Sequence, residues 1–217
     1  MQAGEKRPAI VYFFGGGWKL GTPIQFYREC AYYASKGMVA VSVDYRIGYL
    51  HHSTPFESFE DAKDAICWLR SHASDYQLDP DKIAVAGGSA GGHLAAALGT
   101  IGSDETVPAG YRPNLSVLYY PVIDMVSRGY GFPEIKRDFE KISPIHHVSE
   151  ATPSTLILLG TKDPIVSVET IEAYQDKLLQ KGVDCELHLF EGAGHPIFLY
   201  RKPLTEEYYN CLLYTSP

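Results

Sequence analysis

Six short apolar runs recur along this chain: Ala9 to Phe14, Val39 to Val43, Ile83 to Ala86, Leu115 to Tyr120, Thr155 to Leu159 and Glu186 to Phe190. Most are continuous rather than alternating, which is the pattern of strands buried on both faces of a parallel sheet. Segments of helical period lie between them. Pro23 to Ser35 carries Phe26, Cys30, Tyr33 and Ala34, and Glu57 to Ala73 carries Phe59, Ala62, Ala65, Ile66 and Leu69. Val168 to Lys181 carries Ile171, Tyr174, Leu178 and Leu179, with Gly182 as its stop. Strands alternating with helices predict an α/β fold: a doubly wound, mostly parallel sheet of about six strands joined by right-handed crossovers. Ligands bind such sheets outside the carboxyl ends of the strands.

The 217 residues are read as one domain, 1–217, because no Pro/Ser/Gly-rich or charge-dense linker divides them. Hydrophobic content of 45% and charged content of 21% are ordinary for a water-facing globular chain, and no apolar run approaches the ~18 residues of a membrane span. Membrane insertion is not expected. A formal charge of −7, with scattered basic residues, disfavours nucleic acid as a partner and favours a small neutral or cationic one. The first eight residues hold no apolar signal-peptide core, so a cytoplasmic location is the expectation. Cys30, Cys67, Cys185 and Cys211 lack metal-site spacing and are expected to be reduced, mostly buried thiols. No metal and no organic cofactor is indicated.

Directly after the run Ile83 to Ala86 the chain reads Gly87-Gly88-Ser89-Ala90-Gly91, and a helix-like stretch His93 to Leu98 follows. A strand that turns sharply into a helix with one side chain at the apex needs small neighbours, which Gly87 and Gly91 supply. Ser89 is therefore a candidate nucleophile. A serine hydroxyl needs a base, and the base needs a carboxylate to fix its tautomer. Asp163, after the run ending at Leu159, and His195, in Glu191-Gly192-Ala193-Gly194-His195-Pro196, supply both in chain order. His195 is expected on a flexible loop able to swing over the nucleophile. The other seven histidines lie in strands, helices or loops where a solvated or structural role is usual, and Asp124 is the rival for the acid position or a lining of the substrate cleft. Phe13-Phe14-Gly15-Gly16-Gly17-Trp18 follows the first run. Its Gly16 and Gly17 N–H groups, with that of Ala90, are the expected oxyanion donors.

These residues resemble the α/β-hydrolase family and, within it, the esterase and lipase group related to hormone-sensitive lipase and bacterial acetyl esterases. The likeness is carried by Gly15-Gly16-Gly17-Trp18, Val43-Asp44-Tyr45-Arg46, the stretch Asp79 to Gly92, Asp163 and Gly192-Ala193-Gly194-His195. It implies a serine ester hydrolase with a Ser89–His195–Asp163 triad, Trp18 and Asp124 at the substrate, and no cofactor. Members usually carry His where Phe14 stands, so here an apolar ring must brace the oxyanion loop by packing. The chain is also expected to lack the usual first strands and helical cap, and residues 211–217 resemble a non-native tail. Met125 to Val148, with Tyr130, Phe132, Phe139, Ile142 and Ile145, is expected to form a partial lid. A small open cleft suits short, acetyl-like acyl groups, and the 16 tyrosines offer faces on which a carbohydrate ester could stack. Two alternatives stay open: a peptidase of the prolyl-oligopeptidase type, and a non-catalytic or truncated relative.

Overall fold

The computed structural model describes residues 6–101, 109–125 and 138–197. Its six strands are β1 (Arg7–Phe13), β2 (Val39–Val43), β3 (Leu78–Gly88), β4 (Leu115–Tyr119), β5 (Ser154–Gly160) and β6 (Cys185–Phe190). They form one sheet in the order β2-β1-β3-β4-β5-β6, and every neighbouring pair is parallel. Burial follows position. Ala9 to Phe13 of the interior strand β1 are all buried, whereas every residue of the edge strand β2 is half-buried. The continuous apolar runs thus mark the strands covered on both faces.

Among the described residues, five helices connect or cover the strands: α1 (Tyr27–Ser35), α2 (Gly48–His51), α3 (Pro55–Ser71), α4 (Ala90–Thr100) and α5 (Val168–Gln180). The start of α3 is written locally. Thr54 and Glu57 form a capping box around Pro55, and Phe59, Ala62, Ile66 and Leu69 then face the core at helical spacing. Helix α4 is different, because all of its residues are buried, in keeping with a sequence that is apolar or small on every side. Ser167 caps α5 by accepting from the Thr170 N–H. At its other end Gly182 takes φ +73°, and the Val183 and Gly182 N–H groups return to the carbonyls of Leu178 and Leu179.

Some elements differ from what the sequence implies. Strand β3 extends back through Asp79, Pro80, Asp81 and Lys82, a polar stretch without strand character. It is drawn into the sheet because Leu78 pairs with Arg7, and a register shift between Arg7 and Ala9 absorbs the extra length. Helix α2 is a single turn with no apolar period to announce it. The thiols are less buried than expected: Cys67 is exposed, and Cys30 and Cys185 are half-buried. Desolvation still raises the Cys30 thiol to about 11 and that of Cys185 to about 12. Both therefore stay protonated and unreactive near neutrality.

Register positions the site. Phe13 lies level with Gly87, Gly88 with Tyr119, Tyr119 with Leu158, and Gly160 with Phe190. The chain consequently leaves β1, β3, β4, β5 and β6 along one rim of the sheet, which is where Gly15–Trp18, Ser89, Tyr120, Asp163 and His195 sit.

Candidate active site

Ser89 occupies the turn between β3 and α4 with φ 55° and ψ −116°, a conformation a side-chain-bearing residue adopts only when its surroundings impose it. The surroundings are identifiable. The Ser89 N–H donates to the Tyr119 carbonyl at 3.0 Å, and its own carbonyl accepts from His93 at 2.9 Å and from Val122 at 3.4 Å. The small neighbours are required by contact: a Cβ on Gly87 would lie 2.4 Å from the Gly91 carbonyl, and one on Gly91 would lie 2.0 Å from the Phe13 oxygen. The backbone packs too closely at this apex for any larger residue.

The three residues that lie far apart in the chain meet here. His195 Nε2 is 3.0 Å from Ser89 Oγ, and His195 Nδ1 is 2.6 Å from Asp163 Oδ2. The other carboxylate oxygen of Asp163 accepts the Ile165 and Val166 N–H groups at 2.8 and 2.9 Å. An acceptor on Nδ1 puts the imidazole proton there and leaves Nε2 free to take the serine proton. The carboxylate bonded to Nδ1 is that of Asp163 rather than that of its rival, Asp124. Asp124 lines, with Asp163, Ser167 and Thr170, a cavity of about 280 Å³ between the ends of β4 and β5. Among the competing histidines, His188 pairs with Glu186, His72 stacks on Trp68, and His51 accepts from the Ile47 N–H.

The His195 loop is not the free arm that its glycines imply. Lys162 N–H donates to the Ala193 carbonyl at 2.8 Å, Gly192 N–H to Thr161 Oγ1 at 2.8 Å, and Thr161 N–H to the Phe190 carbonyl at 3.0 Å. These bonds fasten the loop to the one bearing Asp163. The ring itself lies edge-on to Tyr120, 4.6 Å between centroids. Tyr120 is a residue that sequence reasoning missed: it has φ +38°, abnormal for an aromatic residue, and its N–H is tied to the Leu158 carbonyl at 2.7 Å. Nothing in the local sequence signals either property.

On the opposite side of Ser89, Gly16, Gly17 and Trp18 have consecutive positive φ angles of 139°, 62° and 58°. Among the described residues, the N–H groups of Gly16, Gly17 and Ala90 donate to no protein acceptor. An added Cβ at Gly17 would meet nothing, so this stretch borders open space, whereas one at Gly15 would lie 3.4 Å from Ser89 Cβ. Phe14 is fully buried and stacks on Tyr45 at 4.1 Å, and the Tyr45 hydroxyl donates to the Phe14 carbonyl at 2.6 Å. Gln25 Oε1 accepts the Gly15 N–H at 2.5 Å. The loop is therefore braced by packing and by side chains from elsewhere in the chain.

Three expectations need correction. Trp18 does not line the cleft, because its indole is 1% exposed and donates to His93 Nδ1 at 3.3 Å. Five of the eleven described tyrosines offer no stacking face: Tyr12, Tyr45, Tyr119, Tyr120 and Tyr174 are buried, and desolvation raises the phenols of Tyr12, Tyr45, Tyr120 and Tyr174 above their usual range, whereas Tyr27, Tyr49 and Tyr76 are exposed. The described part of the expected lid lies packed down. Phe139–Ile142 and Pro144–His146 are short 3-10 turns with Ile142 and Ile145 buried, and the Ile145 N–H is bonded to the Ile123 carbonyl. Tyr130, Phe132, Cys211 and the tail 211–217 lie outside the described residues.

A parallel sheet presenting serine, imidazole and carboxylate along one rim is the architecture of an α/β-hydrolase. The BD-FAE family matches residues 1–127. The chain belongs to the BD-FAE family. A solved esterase from the Planctomycetes species Thermogutta terrifontis, titled as propionate-bound, is 36% identical with a TM-score of 0.87, covering 98% of this chain and 82% of that one. Another structure of that esterase is titled as phosphorylated by paraoxon. Esterase LipC of Mycobacterium tuberculosis is 30% identical over 220 residues, covering 87% of this chain and 52% of its own. An acetylxylan esterase of Xylanibacter ruminicola is 26% identical over 225 residues, covering 94% of this chain and 45% of its own. The chain thus spans about half the length of the curated relatives it matches. Among the described residues, no helix is long and apolar enough to cross a membrane.

Proposed function

We propose that this chain is a serine carboxylic-ester hydrolase acting on short-chain, acetyl-like esters. The observation that carries the reading is the unbroken relay from Ser89 Oγ through His195 to Asp163, at 3.0 and 2.6 Å. Ser89 Oγ attacks the ester carbonyl while His195 Nε2 takes its proton, and the Asp163 carboxylate stabilises the imidazolium that forms. The carbonyl oxygen, now an oxyanion, accepts from the Gly16, Gly17 and Ala90 N–H groups, which are unspent among the described residues. The alcohol departs with the proton from His195. Water then attacks the acyl-enzyme, delivering its proton to His195 and its hydroxyl to the acyl carbon, and the Ser89 Oγ–acyl bond breaks as His195 returns the proton to Oγ and the carboxylic acid leaves.

The similarity to an esterase titled as propionate-bound supports a short acyl group, and the similarity to an acetylxylan esterase supports a carbohydrate as the alcohol. Asp124 and the hydroxyls of Ser167 and Thr170 line the cavity beside Asp163 and are the groups that would meet a sugar hydroxyl there. Ser89→Ala should reduce p-nitrophenyl acetate hydrolysis by roughly 10⁴-fold or more and abolish labelling by a fluorophosphonate. A Ser89→Ala protein as active as the parent would end the proposal. Faster hydrolysis of octanoyl than acetyl esters would remove the short-chain assignment alone, and cleavage of a peptide substrate in preference to an ester would favour a peptidase.

A further inference from the structure

His93 lies one helical turn beyond the nucleophile and takes no part in proton transfer to Ser89, yet it is fully buried. Both ring nitrogens are used. The Trp18 indole has only a donor, so at 3.3 Å its Nε1–H makes His93 Nδ1 an acceptor. The proton must then reside on Nε2, which lies 2.6 Å from the Ile142 carbonyl, a group that can only accept. The two partner atoms fix a single neutral tautomer. The rings of Trp18 and His93 also meet edge to face, 5.1 Å between centroids at 88°.

What this contact holds is abnormal. Trp18 closes a run of three positive φ angles, and at 58° it is the one member of the run with a side chain. A bulky residue persists there only when its surroundings over-determine it. The buried indole supplies that constraint. Moving Trp18 toward ordinary backbone angles would drag its ring out of the core and turn the peptide units of Gly16 and Gly17, whose N–H groups donate to no protein acceptor among the described residues.

Resting on the esterase reading above, we infer that His93 is a positioning residue for oxyanion stabilisation: by gripping the Trp18 indole it holds the glycine loop in its strained shape, and by donating to Ile142 it anchors that grip to the segment following β4. Neither residue touches substrate. Their contribution is to the aim of backbone donors, so it appears in the transition state, where charge has developed on oxygen, more than in the bound ester.

Four variants test this: Trp18→Phe, which keeps the ring and loses the N–H; His93→Asn, whose Oδ1 can still accept from the indole; His93→Gln, which can still reach Ile142; and Gly17→Ala as a direct disturbance of the loop. Turnover of p-nitrophenyl acetate is counted per serine labelled by fluorophosphonate at completion, so unfolded protein drops out. We expect kcat per labelled site to fall about 10- to 100-fold for Trp18→Phe and His93→Gln, with less loss for His93→Asn. KM should stay within about twofold, and the pH profile of kcat/KM, which reports His195, should not move. Values of kcat per site within threefold of the parent for both Trp18→Phe and His93→Gln would overturn the inference, as would a loss carried by KM instead. Where a His93 variant fails to fold, Trp18→Phe decides alone. A parent protein that neither labels nor turns over would instead defeat the underlying esterase reading.

Discussion

The two flanks of Ser89 are held in different ways. On the acid–base flank the loops bearing Asp163 and His195 are bonded mainly to each other, through short backbone contacts such as Lys162 to Ala193, and neither residue has an abnormal φ. On the flank proposed to hold the oxyanion, three consecutive residues have positive φ, and the stretch Phe14 to Trp18 is held by Gln25, Tyr45 and His93, which are 10, 31 and 75 positions away from the residues they bond. One flank is a relaxed pair of turns and the other a strained loop gripped from outside. The first should therefore fail only when a reacting group is changed. The second should fail gradually, through residues that never meet substrate.

The largest effect should come from the relaxed flank. In Asp163→Asn, Oδ1 can still accept from Ile165 and Val166, so the turn survives. The amide facing His195 donates to Nδ1, moves the ring proton to Nε2 and leaves Ser89 without a base. We expect kcat to fall by about 10⁴-fold with the urea midpoint nearly unchanged. A loss below tenfold would mean that the relay is not what activates the serine.

Next in size is a pH effect from the gripped flank. Burial lowers the His93 imidazole to about 4, against an ordinary value of 6.5. Below pH 6.5 the unfolded chain takes up a proton that the native state refuses, so this residue's contribution to stability is whole above about 6.5 and is lost as pH falls toward 4. The difference amounts to roughly 3 kcal/mol. Urea denaturation at pH 7 and pH 4.5 should show a steeper loss in the parent than in His93→Gln, which has nothing to protonate there; parallel losses would refute it.

A smaller change tests the same loop from its other end. Gln25→Leu strands the Gly15 N–H, and kcat should fall about tenfold at constant KM, while Gln25→Glu keeps an acceptor and should recover most of it. Equal losses in the two would assign Gln25 to packing alone.

The contrast also governs what was legible in the sequence. Strand β2 could be read to the residue because Val39–Val43 is bounded by Gly37 and by Asp44, and the meeting of Ser89, Asp163 and His195 could be anticipated because each follows an apolar run. Those signals are local. Trp18 was misassigned to the cleft because its burial depends on His93, 75 positions on, and no local pattern distinguishes a core indole from a substrate platform. Tyr120 escaped notice for the same reason, since its φ of +38° is imposed by Ser89 and Leu158 from neighbouring strands. The mobility expected of the His195 loop was inferred from its own glycines, yet what decides is a glycine outside it: a Cβ on Gly160, at the end of β5, would lie 2.3 Å from the Ala193 oxygen, and Lys162 N–H is bonded to that same carbonyl.

The smallest predicted effect marks where the site ends. Thr54 caps α3 by accepting from the Phe56 N–H at 3.3 Å, while Glu57 accepts from the Thr54 hydroxyl and from the Thr54 N–H at 2.7 Å, and these two donations lower the Glu57 carboxyl below its usual range. Thr54→Ala removes a hydroxyl from the cap and should lower stability by about 1 kcal/mol, read as a drop in the urea midpoint. Helix α3 supports the sheet without reaching the Ser89 rim, so kcat per labelled site should equal the parent's. If it does not, strain in the Gly16–Trp18 loop is felt well beyond the side chains that grip it, and the boundary between the two flanks and the scaffold would have to be drawn much further out.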